Sequence, residues 1–146
     1  MSLIRLVYAS ESRLVEAMRR DELSRVVASA RRFNDQNDVT GFLLATPAAF
    51  AQVLEGAQAN IAETYGRIVV DPRHTAIRLL SEEAIAERTF PRWSMGLAEH
   101  DETTTFIFGL YGVTPETDLN AQQPDTLLDL AAELAGRPAE TSPAKA

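Results

Sequence analysis

The chain has 146 residues, 45% apolar and 24% charged, with a formal net charge of -7 and no cysteine. One domain with a buried core suits that length; no apolar run approaches the roughly 20 residues that span a bilayer, and the short start MSLIRLVYAS reads as a strand rather than a signal peptide. The acidic balance and scattered arginines oppose nucleic-acid binding, the missing cysteines remove disulfides and thiolate chemistry, and His74 and His100 are too few for a His-rich metal centre, so a cytoplasmic, metal-free domain is expected.

Residues 3–9 alternate as a strand, with Ile4, Leu6 and Tyr8 on one face and Leu3, Val7 and Ala9 on the other. Both faces are mostly apolar, which predicts a central strand. From Asp21, available as N-cap, to about Asn34 the spacing turns helical: Leu23, Val26, Val27 and Ala30 form a stripe that one more turn extends to Phe33 and Asn34. The turn formers of DQND then end the helix.

GFLLAT and FAQVLEG are two strand-like runs close enough for a hairpin. A second helix follows, with Asn60 and Glu63 placed as a cap pair, a stripe of Ile61, Tyr65, Ile68 and Val69, and Pro72 at its end. AIRLLSEEAI predicts a fourth strand, and RWSMGLA a fifth with Trp93, Met95 and Leu97 on one face. This order is α+β: a ferredoxin-like β-α-β-β-α-β sheet with an added fifth strand and two helices on one face. Further on, TTTFIFGLYG and PDTLLDLAAELAG read as two C-terminal helices, the second stopping at Gly136. The last ten residues have little to pack and are expected to be disordered.

Tyr8, Gln52 and Asn34 stand where periodicity calls for core side chains. Each alone has an ordinary explanation: a tyrosine hydroxyl at a sheet end, an edge glutamine facing water, an asparagine making local bonds at a helix end. If the helices share one sheet face, however, the three groups meet, and buried polar groups cost about 1–3 kcal/mol each without partners. A flat heterocycle with carbonyls and ring nitrogens would satisfy them. Arg73 and His74 of DPRH, with Arg67 before them, are candidates for an anionic or carbonyl-bearing ligand, or are solvated. Glu82 and Glu83 are adjacent in a strand and point apart, which opposes paired acid and base catalysis.

RLVYAS, NDQNDVTG, FAQVLEG, ETYGRIVVDPRH and RTFPRWSMGL follow one another over residues 3 to about 98, and with them the chain resembles the BLUF family, blue-light sensors that use a flavin. The resemblance implies a photosensory domain over residues 1–100 holding oxidised flavin non-covalently between the two helices, usually FAD, with FMN or riboflavin as alternatives. It implies that Tyr8 and Gln52 are the photoactive pair and that Asn34 bonds the polar ring edge. Arg67, Arg73 and His74 match positions around the ring, ribityl chain or phosphates. Trp93 and Met95 match a pair near the glutamine that is linked to signalling, and either could lie inward. Phe33 departs from members with a polar side chain there.

The roughly 45 residues beyond that domain are too few for a cyclase or phosphodiesterase domain, so a non-enzymatic output is expected. By the same resemblance, light rearranges hydrogen bonds at Tyr8 and Gln52, and the last strand passes the change to the helices of residues 101–136, which signal to a protein partner or through a homo-oligomer. Phe106, Ile107, Phe108, Leu110 and Tyr111 would cap the sheet's free face or form such an interface. The competing expectation is a non-photoactive ferredoxin-like small enzyme or binding module, against which the presence of both Tyr8 and Gln52 speaks.

Overall fold

The computed structural model describes residues 2–136, so the expected disorder of residues 137–146 lies outside the described residues. Strand β1 (Leu3–Ser12) is followed by helix α1 (Arg19–Asn37), the hairpin β2 (Thr40–Ala45) and β3 (Ala49–Ala57), helix α2 (Gln58–Val69), and strands β4 (His74–Ile85) and β5 (Gly96–Glu99). Helices α3 (Thr105–Leu110) and α4 (Pro124–Ala135) complete the fold. The strands form one sheet in the order β4-β1-β3-β2-β5. All neighbours are antiparallel except β2 and β5, which run parallel. This is the ferredoxin-like α+β sheet with an added strand.

Strand parity divides the core into two layers. Ile4, Leu6 and Tyr8 of β1, Leu43 of β2 and Phe50 and Leu54 of β3 face α1 and α2, where Leu23, Val27 and Ile61 meet them. Val7, Ala9, Phe42, Leu44, Ala51 and Val53 face the other way, onto Ile107 and Phe108 of α3 and Leu127, Leu130, Ala131 and Leu134 of α4. The apolar second face of β1 is thus covered by the C-terminal helices. On α3 the apolar residues divide between two roles, since Phe106 and Leu110 are 71% and 63% exposed while Ile107 and Phe108 are buried.

Three boundaries differ from expectation. Helix α1 starts at Arg19 because a 3-10 turn, Glu16–Met18, leads straight into it; Asp21 lies in the first turn, where its charge favours the helix dipole, and is not the N-cap. The helix also continues three residues beyond Asn34, to a left-handed Asp38, so Asn34 is an interior helical residue. Helix α2 begins directly after β3 with Ala57 as N-cap, which leaves Asn60 inside the helix, its carbonyl accepting from the Thr64 hydroxyl.

Strand β5 starts only at Gly96, so Trp93 and Met95 precede it and do not share a face. Met95 joins the layer under α1 and α2, with Leu97 packed against it, whereas Trp93 packs with the opposite layer, edge-on to Phe42. The reason is the loop at residues 90–95: Phe90 and Trp93 both contact the Phe42 ring, which holds Trp93 on that side.

Candidate functional site: a cleft between α1 and α2

A cleft of about 570 Å³ opens between α1 and α2 above the sheet, within the range of small-molecule sites. The sheet supplies its floor through Tyr8, Leu43, Phe50 and Gln52. Val26, Ala30, Phe33 and Asn34 form the α1 wall, and Thr64, Arg67 and Ile68 the α2 wall. Val70, Asp71, Pro72 and Arg73, between α2 and β4, and His74, the first residue of β4, close one end.

At the floor, β1 and β3 place Tyr8 directly opposite Gln52. The Tyr8 hydroxyl donates to Gln52 Oε1, and Gln52 Nε2 donates to Met95 Sδ at 3.0 Å. The amide orientation follows from chemistry, because the reverse would aim the amide oxygen's lone pairs at the sulfur. Burial pushes the Tyr8 phenol well above the ordinary tyrosine range, with smaller contributions from Tyr65 and Asp71. Tyr8 is therefore held as a neutral donor.

Asn34 is buried and donates through Nδ2 to the Ser94 carbonyl at 2.6 Å, which orients its amide against the loop before β5. His74 Nε2 lies 2.8 Å from the Ile68 carbonyl, which only accepts, so Nε2 carries a proton; Nδ1 is 2.7 Å from Ser10 Oγ. Arg73 grips Asp71 through Nε at 2.9 Å and Nη2 at 2.6 Å. That bond lowers the Asp71 carboxyl and raises the Arg73 guanidinium relative to their ordinary values. Arg67 lies 4.4 Å over the Phe33 ring and 3.4 Å from Glu63.

Six of the eight residues singled out from the sequence line the cleft: Tyr8, Asn34, Gln52, Arg67, Arg73 and His74. Met95 reaches it through Gln52. Trp93 is not brought there. The sequence reading missed Ser10, although it shares strand parity with Tyr8, and Asp71, which the Arg73 two residues later could have signalled as an ion-pair partner. It also missed Arg31, whose Nε donates to the Met95 carbonyl at 3.0 Å.

Buried amide and phenol groups at the floor, apolar walls and arginines nearer solvent fit a flat ligand with a polar ring edge and an anionic tail. Together with the ferredoxin-like sheet they define a small ligand-holding domain. The sequence model of the BLUF family, "Sensors of blue-light using FAD", matches residues 3–96, and the chain belongs to that family of blue-light flavin sensors.

Photoactivated adenylate cyclase subunit beta of Euglena gracilis is 34% identical over 106 residues, which are 72% of this chain and 12% of that protein. The blue light- and temperature-regulated antirepressor BluF of Escherichia coli K12 is 34% identical over 108 residues, 70% of this chain and 26% of that one. The chain thus matches only a minor part of these curated relatives. The solved structure "BlsA photo-activated state" superposes with a TM-score of 0.81 at 28% identity, covering 96% of this chain and 99% of the other, so that likeness includes the C-terminal helices. "BlrB - a BLUF protein, dark state structure" gives 0.77 at 28% identity over 92% and 96%. No helix among the described residues is long and apolar enough to cross a membrane.

Proposed function

We propose that the chain is a light-operated switch in which Tyr8 and Gln52 are the photoactive pair and FAD is the flavin held in the cleft. The observation that carries this reading is the chain of bonds from the Tyr8 hydroxyl through the Gln52 amide to Met95 Sδ, laid along the cleft floor.

Bound in the cleft, the flavin supplies absorption of blue light and an excited state able to oxidise a neighbouring phenol. Tyr8 is the phenol in reach, and its hydroxyl already points its proton at Gln52 Oε1. Asn34, held by the Ser94 carbonyl, orients the ring edge, and Arg73 and Arg67 meet the tail. Gln52 is the element with two states. Whether its side chain rotates or takes the imidic form, the donor and acceptor it presents to Tyr8 and to Met95 change.

Met95 then carries the change into the loop before β5, and from there to residues 101–136. Those helices act as the output surface toward a protein partner or a second copy of the chain, with Phe106 and Leu110 as its exposed apolar residues.

Purified protein should be yellow, should release flavin identifiable by chromatography, and should show a reversible red shift of its flavin band under blue light. Mass measured in solution, dark and lit, reads the oligomeric output. A colourless protein that takes up no added flavin overturns the reading.

A further inference from the structure

The loop that carries Met95 is held by three successive carbonyls. Trp93 O accepts from Gly41 N at 2.8 Å, Ser94 O from Asn34 Nδ2 at 2.6 Å, and Met95 O from Arg31 Nε at 3.0 Å. Pairing of β5 with β2 begins only at Gly96 opposite Phe42, so the ladder does not serve Ser94 and Met95. A buried carbonyl needs a donor, and α1 supplies both from positions three residues apart on one helical face.

The opposite side of the loop is filled by aromatic rings. A Cβ on Gly96 would lie 2.4 Å from the Phe42 ring and 2.9 Å from Trp93, so the backbone is already pressed against those rings. Met95 is thus set by α1 on one side and the Phe42 contact on the other.

Resting on the photoactive-pair reading above, we infer that Arg31 is a positioning residue for the light response: through the Met95 carbonyl it fixes where Sδ stands relative to Gln52 Nε2. Neighbouring Ala30 and Phe33 line the cleft from the same helix, so α1 joins the ligand wall to the signalling methionine directly. In the dark state the Arg31 bond holds the geometry to which Gln52 must return. Its loss slows the return and weakens the coupling of Gln52 to β5.

The test uses the flavin-loaded protein with carbonyl-13C methionine in a Met18→Leu background, where Met95 and Met1 carry the label and Met1 is common to all samples, comparing wild type with Arg31→Leu, which keeps an apolar stem and removes the donor without adding a methionine, and with Arg31→Lys and Arg31→Gln, which restore one. In wild type the Met95 carbonyl band should move on illumination. In Arg31→Leu the dark Met95 band should lie at higher wavenumber, its light-induced shift should be lost, and dark recovery should slow about tenfold, equivalent to about 1.4 kcal/mol of barrier; the restoring variants should fall between.

If the dark band moves but the light-induced shift and recovery match wild type, the bond is merely structural and the inference is overturned. An unmoved band overturns it as well. Should Arg31→Leu not fold, Arg31→Ala, which also removes the donor, gives the same reading, and wild-type light-induced shift and recovery in it overturn the inference. Wild type that binds flavin but shows no red shift overturns the photoactive-pair reading, and this inference with it.

Discussion

Tyr8 and Gln52 face each other across the β1–β3 pair, and the phenol donates to the amide oxygen. Antiparallel pairing makes that meeting a property of register: a slip of either strand by one residue would send its side chain to the opposite face and part the pair. The hydrogen bond at the cleft floor and the strand pairing of the fold are therefore specified together.

Replacing either partner separates photochemistry from binding. Tyr8→Phe and Gln52→Leu should each retain flavin and lose the reversible red shift, read by absorbance before and after blue light. Gln52→Leu should also destabilise the protein by about 1–3 kcal/mol in urea unfolding, because it leaves the Tyr8 hydroxyl without its acceptor. A normal photocycle in either variant would remove the assigned roles.

Stability should respond to alkali through Tyr8. Burial raises its folded-state value, so the unfolded phenol releases its proton near pH 10 while the folded one retains it. The stabilisation is complete below about pH 10 and is lost as pH rises beyond it. Unfolding midpoints of wild type and Tyr8→Phe, measured at rising pH, should converge, with the wild type falling more steeply. On the acid side the sign reverses for Asp71, whose value Arg73 lowers: its contribution is present above the ordinary carboxylate range and fades as pH falls through the folded-state value.

Arg73 should distinguish phosphorylated flavins from riboflavin. Asp71 fixes its guanidinium at the closed end of the cleft. Arg73→Gln should weaken FAD and FMN binding to the apoprotein about tenfold, near 1.4 kcal/mol, and leave riboflavin unchanged, as followed by flavin fluorescence titration. An equal loss for riboflavin would place Arg73 against the ring or ribityl chain instead.

Glu55 is a fully buried carboxylate accepting from Arg5 Nε at 2.9 Å and from the backbone amides of Thr89 and Phe90, both at 2.9 Å. Glu55→Ala leaves the Thr89 and Phe90 amides without their acceptor and takes from Arg5 its buried carboxylate partner, leaving it Glu83 and Thr89, and should cost about 3–5 kcal/mol of stability. Urea unfolding reads the loss. The same bonds tether the segment leading to Met95, so any surviving photocycle of this variant should recover at an altered rate.

Legibility in the sequence followed locality. Strand parity exposed Tyr8 and Gln52 because each interrupts an apolar face, and the helical stripe led to Asn34. Trp93 and Met95 misled the same reasoning: two residues apart, they share a face only within a strand, and here a loop held by Phe42 sends them apart. The Asp21 and Asn60 caps failed because a 3-10 turn and the end of β3 already occupy the helix starts. Arg31 left no signal, since its partner is a backbone carbonyl 64 residues away.

Among the described residues, no buried apolar side chain belongs to both layers of the core. The sheet separates the two layers, and the loop before β5 is where they adjoin, with Met95 in the front layer and Trp93 against the back one. Such a construction makes the two sides separately replaceable: the back layer can be rewritten for a new recipient while the amide and phenol in front keep their chemistry.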